Sequence, residues 1–544
     1  MNKDQILELE ITDLNNLGCG VGRHEGKVVF VKGAVKGDTV RAKIIKVNKG
    51  FSVARLEKVI KASDMRIDKD ECTAPLACGG CVYRHITYEG ELELKREYVK
   101  NAFRKAGLPD VRVFSTLSAG RAYGYRNKAQ YPLVATKNGV KAGFYASKTH
   151  KVIAADSCAI QNEAFTPIVD FICRYADSSR WSVYDEETGR GLLRHVYLRI
   201  GEKTGQIMVC LVINGASLSG ESEFASALVS GFPGVVSVLI NENRENTNVV
   251  LGKKYRVLFG KDHIEDELCG LRFKISPQSF YQVNRDGAEL LYSVAAERAS
   301  LTGAEVLMDL YCGTGTIGLS MAEKAKKLCG IEIVSEAVDC ARENARENKI
   351  DNAEFFCADA GNRDNILSAA GGVRPDVVVI DPPRKGSTKE LVETLSSLQV
   401  PRVVYVSCDA DTLARDCVWF AECGYEIGEV QPVDMFPRTG HVESVCLLSK
   451  LNTKQHIEIN LDMDELDLTD AEKKATYQEI KDYVLEHSGL KVSSLYIAQV
   501  KQQCGIIERE NYNKPKSEDP KQPQCPPDKE KAIKDALKHF GMIE

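Results

Sequence analysis

From about residue 300 the chain alternates between short apolar runs and amphipathic stretches, at a spacing that leaves few folds open. AEVLMDLYCGTGTIGLSMAEKA reads as a buried strand, a glycine-rich turn and a helix. KKLCGIEIV is a second strand, SEAVDCARENARENK a helix and AEFFCAD a third strand. RPDVVVIDPP and PRVVYVSCD follow as further buried strands. Strands that are apolar throughout, with helices between them, run parallel and have both faces covered. Residues 291–450 therefore predict a doubly wound, Rossmann-like α/β domain. Such sheets hold ligands in the crevice beyond the carboxyl ends of their strands, so the polar residues at those ends are the candidates for chemistry.

A chain of 544 residues has room for further domains. Residues 1–60 alternate apolar and polar positions (ILELEITDL, GKVVFVKG, DTVRAKIIKV) between glycines, which predicts four or five strands of a small β-barrel. This stretch carries 11 basic and 7 acidic residues. Residues 61–290 read as a central mixed α+β region, with strands such as HVYLRIG and GQIMVCLVING. Within it, residues 84–151 hold 14 Lys or Arg against 5 Asp or Glu, interleaved with aromatics (RAYGYRNKAQYP). Positive charge beside stacking rings suits phosphate contact and base stacking. Residues 451–544 form an appended region: helical stretches AEKKATYQEIKDYVLEH, SSLYIAQVKQQCG and EKAIKDALKHFG, with a Pro/Lys-rich linker, NKPKSEDPKQPQCPPDK. Packing of these helices onto the enzyme body is the expectation.

The overall charge of −5 excludes a wholly basic polymer binder but not a local nucleic-acid site. There is neither a long apolar span nor a secretory leader, so a cytoplasmic protein is expected. Eighteen cysteines in that reducing compartment are buried thiols (Cys173, Cys210, Cys446), metal ligands or a nucleophile rather than a disulfide framework.

In DLYCGTGTIG, Asp309 closes a strand ahead of Gly313, Gly315 and Gly318. A turn like this serves dinucleotides, S-adenosylmethionine or tight packing. Glu332 ends the next strand, where a carboxylate can accept from ribose hydroxyls, and Asp359 ends the third, near where an adenine edge would lie. The Asp381-Pro-Pro at the fourth strand end favours methyl transfer over hydride transfer. Cys408 lies just beyond a buried strand, and FPRTGHVESV supplies Glu443 35 residues later. A thiol and a carboxylate at one pocket suit chemistry at carbon 5 of a pyrimidine. The thiolate adds to C6 to make C5 nucleophilic, and the carboxylate later removes the C5 proton.

Cys72, Cys78 and Cys81 form a Cys-x5-Cys-x2-Cys run, and Cys158 is the best fourth ligand. Zinc or an iron–sulfur cluster would each accept four thiolates.

The motifs SPQSFYQVN, DLYCGTGTIG, IDPPRKG, VSCDADTLARD and FPRTGHVESV, in this order, resemble the bacterial RNA uracil-5-methyltransferases, which make 5-methyluridine in 23S rRNA and tRNA. The spacing GCGVGRHEGKVVFVKGAVKGDTV resembles the TRAM domain, an oligonucleotide-binding-like barrel. The resemblance implies that Cys408 is the nucleophile and Glu443 the base. It also implies that Gln282, Tyr311, Thr316, Glu332, Asp359 and Asp381 surround S-adenosylmethionine and the target uracil. It favours a [4Fe-4S] cluster on Cys72, Cys78, Cys81 and Cys158 over zinc. The tRNA-specific branch usually lacks both barrel and cluster, so the expected substrate is 23S rRNA and the expected state a monomer. Methylation of tRNA, a non-catalytic RNA-binding factor and an NAD-dependent oxidoreductase are the competing readings.

Overall fold

Glycines set the corners of the first sheet. The strands β1 (Ile6–Leu14), β2 (Cys19–His24), β3 (Lys27–Lys32), β4 (Thr39–Val47) and β5 (Phe51–Lys61) close into a barrel in the order β1-β2-β3-β5-β4. Alternate side chains such as Leu7, Leu9, Ile11, Val29, Val31 and Ile44 fill its core. The computed structural model describes residues 1–147, 149–451, 477–504, 525–540 and 542–543.

A cysteine-bearing segment without regular structure leads to α1 (Tyr88–Lys105), capped by the Thr87 hydroxyl. β6 (Leu117–Ser118) then joins the distant edge of the C-terminal sheet. The central domain is built from β7 (Lys128–Thr136), β8 (Gly139–Tyr145), β9 (Val152–Ala154), α2 (Phe165–Ser178), β10 (Leu193–Ile200), β11 (Ile207–Ile213), α3 (Glu221–Gly231), β12 (Val235–Glu242) and β13 (Lys254–Gly260). Its seven strands lie in the order β13-β12-β11-β10-β7-β8-β9, and α2 and α3 contribute to its apolar core. The basic segment thus supplies two strands of this sheet, β7 and β8, with KAQYPLVAT pairing along β10. β14 (Ile264–Leu268) and β15 (Leu271–Ile275) form a hairpin before α4 (Arg285–Ala299).

The expected alternation follows: β16 (Val306–Leu310), α5 (Thr316–Met321), β17 (Lys327–Glu332), α6 (Ser335–Glu347), β18 (Ala353–Cys357), α7 (Arg363–Ala369), β19 (Val377–Ile380), α8 (Lys389–Ser397), β20 (Arg402–Ser407) and α9 (Ala410–Glu422), closed by β21 (Tyr425–Asp434) and β22 (Glu443–Lys450). The sheet order is β18-β17-β16-β19-β20-β22-β21-β6. β16 to β20 are parallel, and β22 enters antiparallel between β20 and β21. Val377, Val379, Val404 and Val406 face one apolar layer; Val378, Ile380, Val403 and Tyr405 face the other.

Residues 453–544 are a second unit. Its α10 (Tyr477–Ser488), α11 (Ser494–Gln503) and α12 (Pro527–His539) pack Ile480, Val484, Ile497, Val500, Ile533 and Leu537 into a core of their own. Most of the Pro/Lys-rich linker lies outside the described residues. No described helix is long and apolar enough to cross a membrane.

Candidate active site

Register brings the strand-end residues together. Leu310 of β16 lies beside Ile331 of β17 and Ile380 of β19, so Tyr311, Glu332 and Asp381 leave the sheet at one level. Glu332 pairs with Cys357, and Asp359 follows two residues later. Ile380 pairs with Tyr405 in β20, and Ser407 lies opposite Ser444 in β22. Cys408 and Glu443, the next residues outward, therefore face each other across an antiparallel ladder.

The turn after β16 is left-handed at Tyr311 (φ 63°), Gly313 (54°) and Gly315 (80°). That conformation is costly for tyrosine, and it marks the turn as held by its surroundings. A Cβ at Gly315 would stand 3.0 Å from the Phe355 ring, whereas one at Gly313 would meet nothing within 4 Å. Glu332 Oε2 accepts from the Gly313 amide (3.2 Å) and Oε1 from the Ile333 and Val334 amides (2.8 and 3.0 Å). Each carboxylate oxygen retains acceptor capacity. Buried Asp309 accepts from the Gly318 amide at 2.8 Å, while its Oδ1 has no partner among the described residues. Burial pushes its carboxyl up to about 7.

Two predicted residues stand apart from the strand ends. Thr316 is tied inward, its hydroxyl 2.9 Å from that of Tyr292 on α4. Gln282 lies on the segment entering α4, with its carbonyl accepting from Asn127 (2.9 Å). Asn284, the α4 cap, donates to the Met435 carbonyl (3.0 Å) and so ties this segment to the chain between β21 and β22.

Charge is concentrated where Cys408 and Glu443 meet. Burial raises the Cys408 thiol to about 11, reinforced by Glu443 and Asp381 and opposed by Arg384. Burial likewise raises Glu443 to about 8, with Asp381 adding and Arg384 opposing, and raises Asp381 to about 7. Cys408 immediately precedes Asp409, the N-cap of α9, where backbone dipoles favour a thiolate once one forms. The loop after Asp381 is braced from the same helix: Asp416 accepts from the Ser387 amide (2.7 Å) and the Tyr405 hydroxyl (2.6 Å). At Gly386 (φ 79°) a Cβ would stand 2.6 Å from Asp416, so the brace requires glycine there.

Comparison with known proteins accounts for this layout. Residues 237–451 match the family model described as tRNA (Uracil-5-)-methyltransferase, and residues 3–56 match the TRAM domain. A Clostridium tetani protein named as an uncharacterized RNA methyltransferase is 42% identical over 457 residues, 84% of this chain and 98% of its own. One from Halalkalibacterium halodurans, with the same description, is 40% identical over 83% of this chain and 98% of its own. The chain belongs to the S-adenosylmethionine-dependent RNA uracil-5-methyltransferase family. The crystal structure of the Pyrococcus abyssi tRNA (uracil-54, C5)-methyltransferase in complex with S-adenosyl-L-homocysteine superposes with a TM-score of 0.66 at 27% identity. That similarity covers 81% of this chain and all of the archaeal one, so the mixed α/β architecture is a family fold.

Within this framework the four predicted cysteines are brought together. Cys72, Cys78, Cys81 and Cys158 line one cavity of about 380 Å³, with Arg84, Arg126 and Lys128 on its wall. Burial raises the Cys81 thiol to about 12 and Cys158 to about 11, and the other cysteines add to both. Among the described residues, no group of three or more His, Cys, Asp or Glu side chains is closed up as it would be around a metal ion.

The basic segment is only partly an outward surface. Lys95 is buried, and Arg84 holds the cysteine segment through Asp70 (2.6 Å) and the Cys72 and Ala74 carbonyls. Counting charges could not separate these from exposed cations. Arg384 is the site residue that sequence reasoning passed over; its place directly after the Asp-Pro-Pro was the available signal.

Proposed function

We propose that this enzyme methylates carbon 5 of uridine in 23S rRNA, with Cys408 as nucleophile and Glu443 as base. The observation that supports the reading is the Ser407–Ser444 register, from which Cys408 and Glu443 are the next residues outward, together with the effect of the Glu443 charge on the Cys408 thiol. Cys408 gives its proton to solvent and adds through sulfur to C6 of the uracil, and the C5–C6 π electrons move through C5 onto O4 as an enolate. C5 then takes the methyl group. Glu443 removes the C5 proton, the double bond reforms and the C6–S bond breaks, releasing Cys408. Burial, with Asp381 adding, holds the Glu443 carboxyl up, and Arg384 is the cation that offsets it.

S-adenosylmethionine supplies the methyl group when bound. The donor set at the strand ends fits it: the open space at Gly313, the Glu332 carboxylate for ribose hydroxyls, and Tyr311, Asp359 and Asp381 around the methyl donor and uracil, with Thr316 and Gln282 set back from them. The four-thiol cavity likewise suits a [4Fe-4S] cluster on Cys72, Cys78, Cys81 and Cys158. Such a cluster would staple the segment between barrel and catalytic domain, with no part in methyl transfer. The TRAM barrel and exposed cations would grip the RNA while the target base is flipped out, a step costing a few kcal/mol. Phe280, 65% exposed two residues before Gln282, offers a stacking face there. A cytoplasmic monomer completes the reading.

One observation favours tRNA as a second reading: the archaeal tRNA enzyme aligns over its entire length, so the N-terminal modules do not by themselves select rRNA. Mass spectrometry of 23S rRNA and tRNA from a strain lacking the protein decides. Loss of 5-methyluridine from 23S rRNA alone supports the first reading; loss from tRNA alone overturns it.

A further inference from the structure

The eight residues between β21 and β22 carry the chain from Asp434 to Glu443, and they are tied down from several directions. Lys95 Nζ on α1 donates to Asp434 Oδ1 (2.7 Å), to Glu91 Oε1 (2.7 Å) and to the Phe436 carbonyl (3.2 Å). Tyr88, from the first turn of the same helix, donates to Asp434 Oδ2 (2.9 Å). Arg438 donates its amide to Glu91 Oε1 (2.7 Å) and its guanidinium to the Ile86 carbonyl (2.8 Å). Its own carbonyl accepts from the Val82 and Tyr83 amides (3.0 and 3.1 Å), directly after Cys81.

These groups form a closed set of two cations and two carboxylates. Lys95, Asp434 and Glu91 are 1%, 1% and 0% exposed, and Arg438 is 5% exposed. Ions removed from water to this extent hold one geometry, because losing any partner leaves an uncompensated charge. Arg438 also keeps a left-handed backbone (φ 68°), which a non-glycine residue retains only where its surroundings over-determine it. An ordinary connection between antiparallel strands needs none of this. The last of these contacts is at Arg438, five residues before Glu443.

From this we infer that Lys95 and Tyr88 are positioning residues: through Asp434 they fix the 435–442 connection so that Glu443 reaches the C5 proton. The inference rests on reading Glu443 as the base. Neither Lys95 nor Tyr88 touches substrate in this account. They act on the last step, proton removal and release of Cys408, rather than on RNA binding or methyl transfer.

The test compares full-length wild type, Glu443→Gln, Lys95→Met and Tyr88→Phe under single-turnover conditions with an RNA that wild type methylates. Protein–RNA adduct is followed on denaturing gels. Lys95→Met is expected to accumulate adduct carrying methylated RNA, with release slowed about tenfold or more. Tyr88→Phe keeps the ring that packs against Arg438 and loses the hydroxyl's hydrogen bonds to Asp434 and Ser118. It is expected to slow release a few-fold with KM for RNA unchanged. Slow turnover without adduct in both variants, while Glu443→Gln does accumulate it, overturns the positioning role. If Lys95→Met does not fold, Tyr88→Phe decides alone, and wild-type release rates overturn the inference. Absence of adduct in Glu443→Gln would instead overturn the assignment of the base.

Discussion

Cys408 and Glu443 stand opposite each other one step beyond the Ser407–Ser444 pair, at the mouth of an antiparallel ladder inserted into a parallel sheet. Parallel strands alone would offer each strand-end residue a neighbour on the next strand. The antiparallel insertion gives Cys408 a partner arriving from a strand's beginning instead of its end.

The two roles are separable by mutation. Cys408→Ala should abolish methylation, because no nucleophilic carbon forms. Glu443→Gln should still add and accept the methyl group but retain the C5 proton, leaving a slow-migrating protein–RNA band. Trapping of wild type with 5-fluorouracil RNA should map to Cys408. Methylation by Cys408→Ala, or an adduct on another cysteine, would remove the mechanism.

Activity should rise with pH. The base works as a carboxylate, and Glu443 is held at about 8, so kcat/KM should climb between pH 6 and 9. The Cys408 thiol, at about 11, pushes in the same direction. A profile flat across this range would mean that neither group titrates as its surroundings dictate.

Stability should run the other way. Glu443 has a folded value raised above its unfolded one, so its contribution is fully present below about 4.5 and is lost as pH rises through about 8. Glu443→Gln removes that loss. Thermal unfolding should find it more stable than wild type at pH 9, on the order of 5 kcal/mol, with the difference vanishing near pH 5. A constant difference across this range would contradict the desolvation account.

The cysteine cavity makes a prediction about colour. Protein purified without oxygen should be brown and contain iron, with a broad absorbance near about 400 nm. Cys81→Ala should lose both colour and iron. Stoichiometric zinc with negligible iron would replace the cluster by a zinc site.

Legibility in the sequence followed locality. The glycine turn, Glu332, Asp359, Asp381 and Cys408 each sit where a local apolar run stops, and β16 to β20 have the expected order of elements. The five-stranded barrel was readable from alternation and glycines. What escaped depends on distant pairing. Lys95 meets Asp434 across 339 positions, so a buried ion pair looked like one more solvated charge. The strands β7 and β8 were concealed in the basic segment, because charge masked their alternation. The appended helices do form, but their apolar faces meet one another, which a single helical period cannot reveal.

The insertion of β22 also orders events at the ribosome. Its strand is made after both of its neighbours, yet in space it separates them. Until it intercalates, β20 and β21 each expose a row of unpaired backbone amides and carbonyls, the kind of edge that recruits other chains. The same insertion seats Glu443. On the proposed mechanism, a nascent chain would cover these open edges and gain its proton acceptor in the same event.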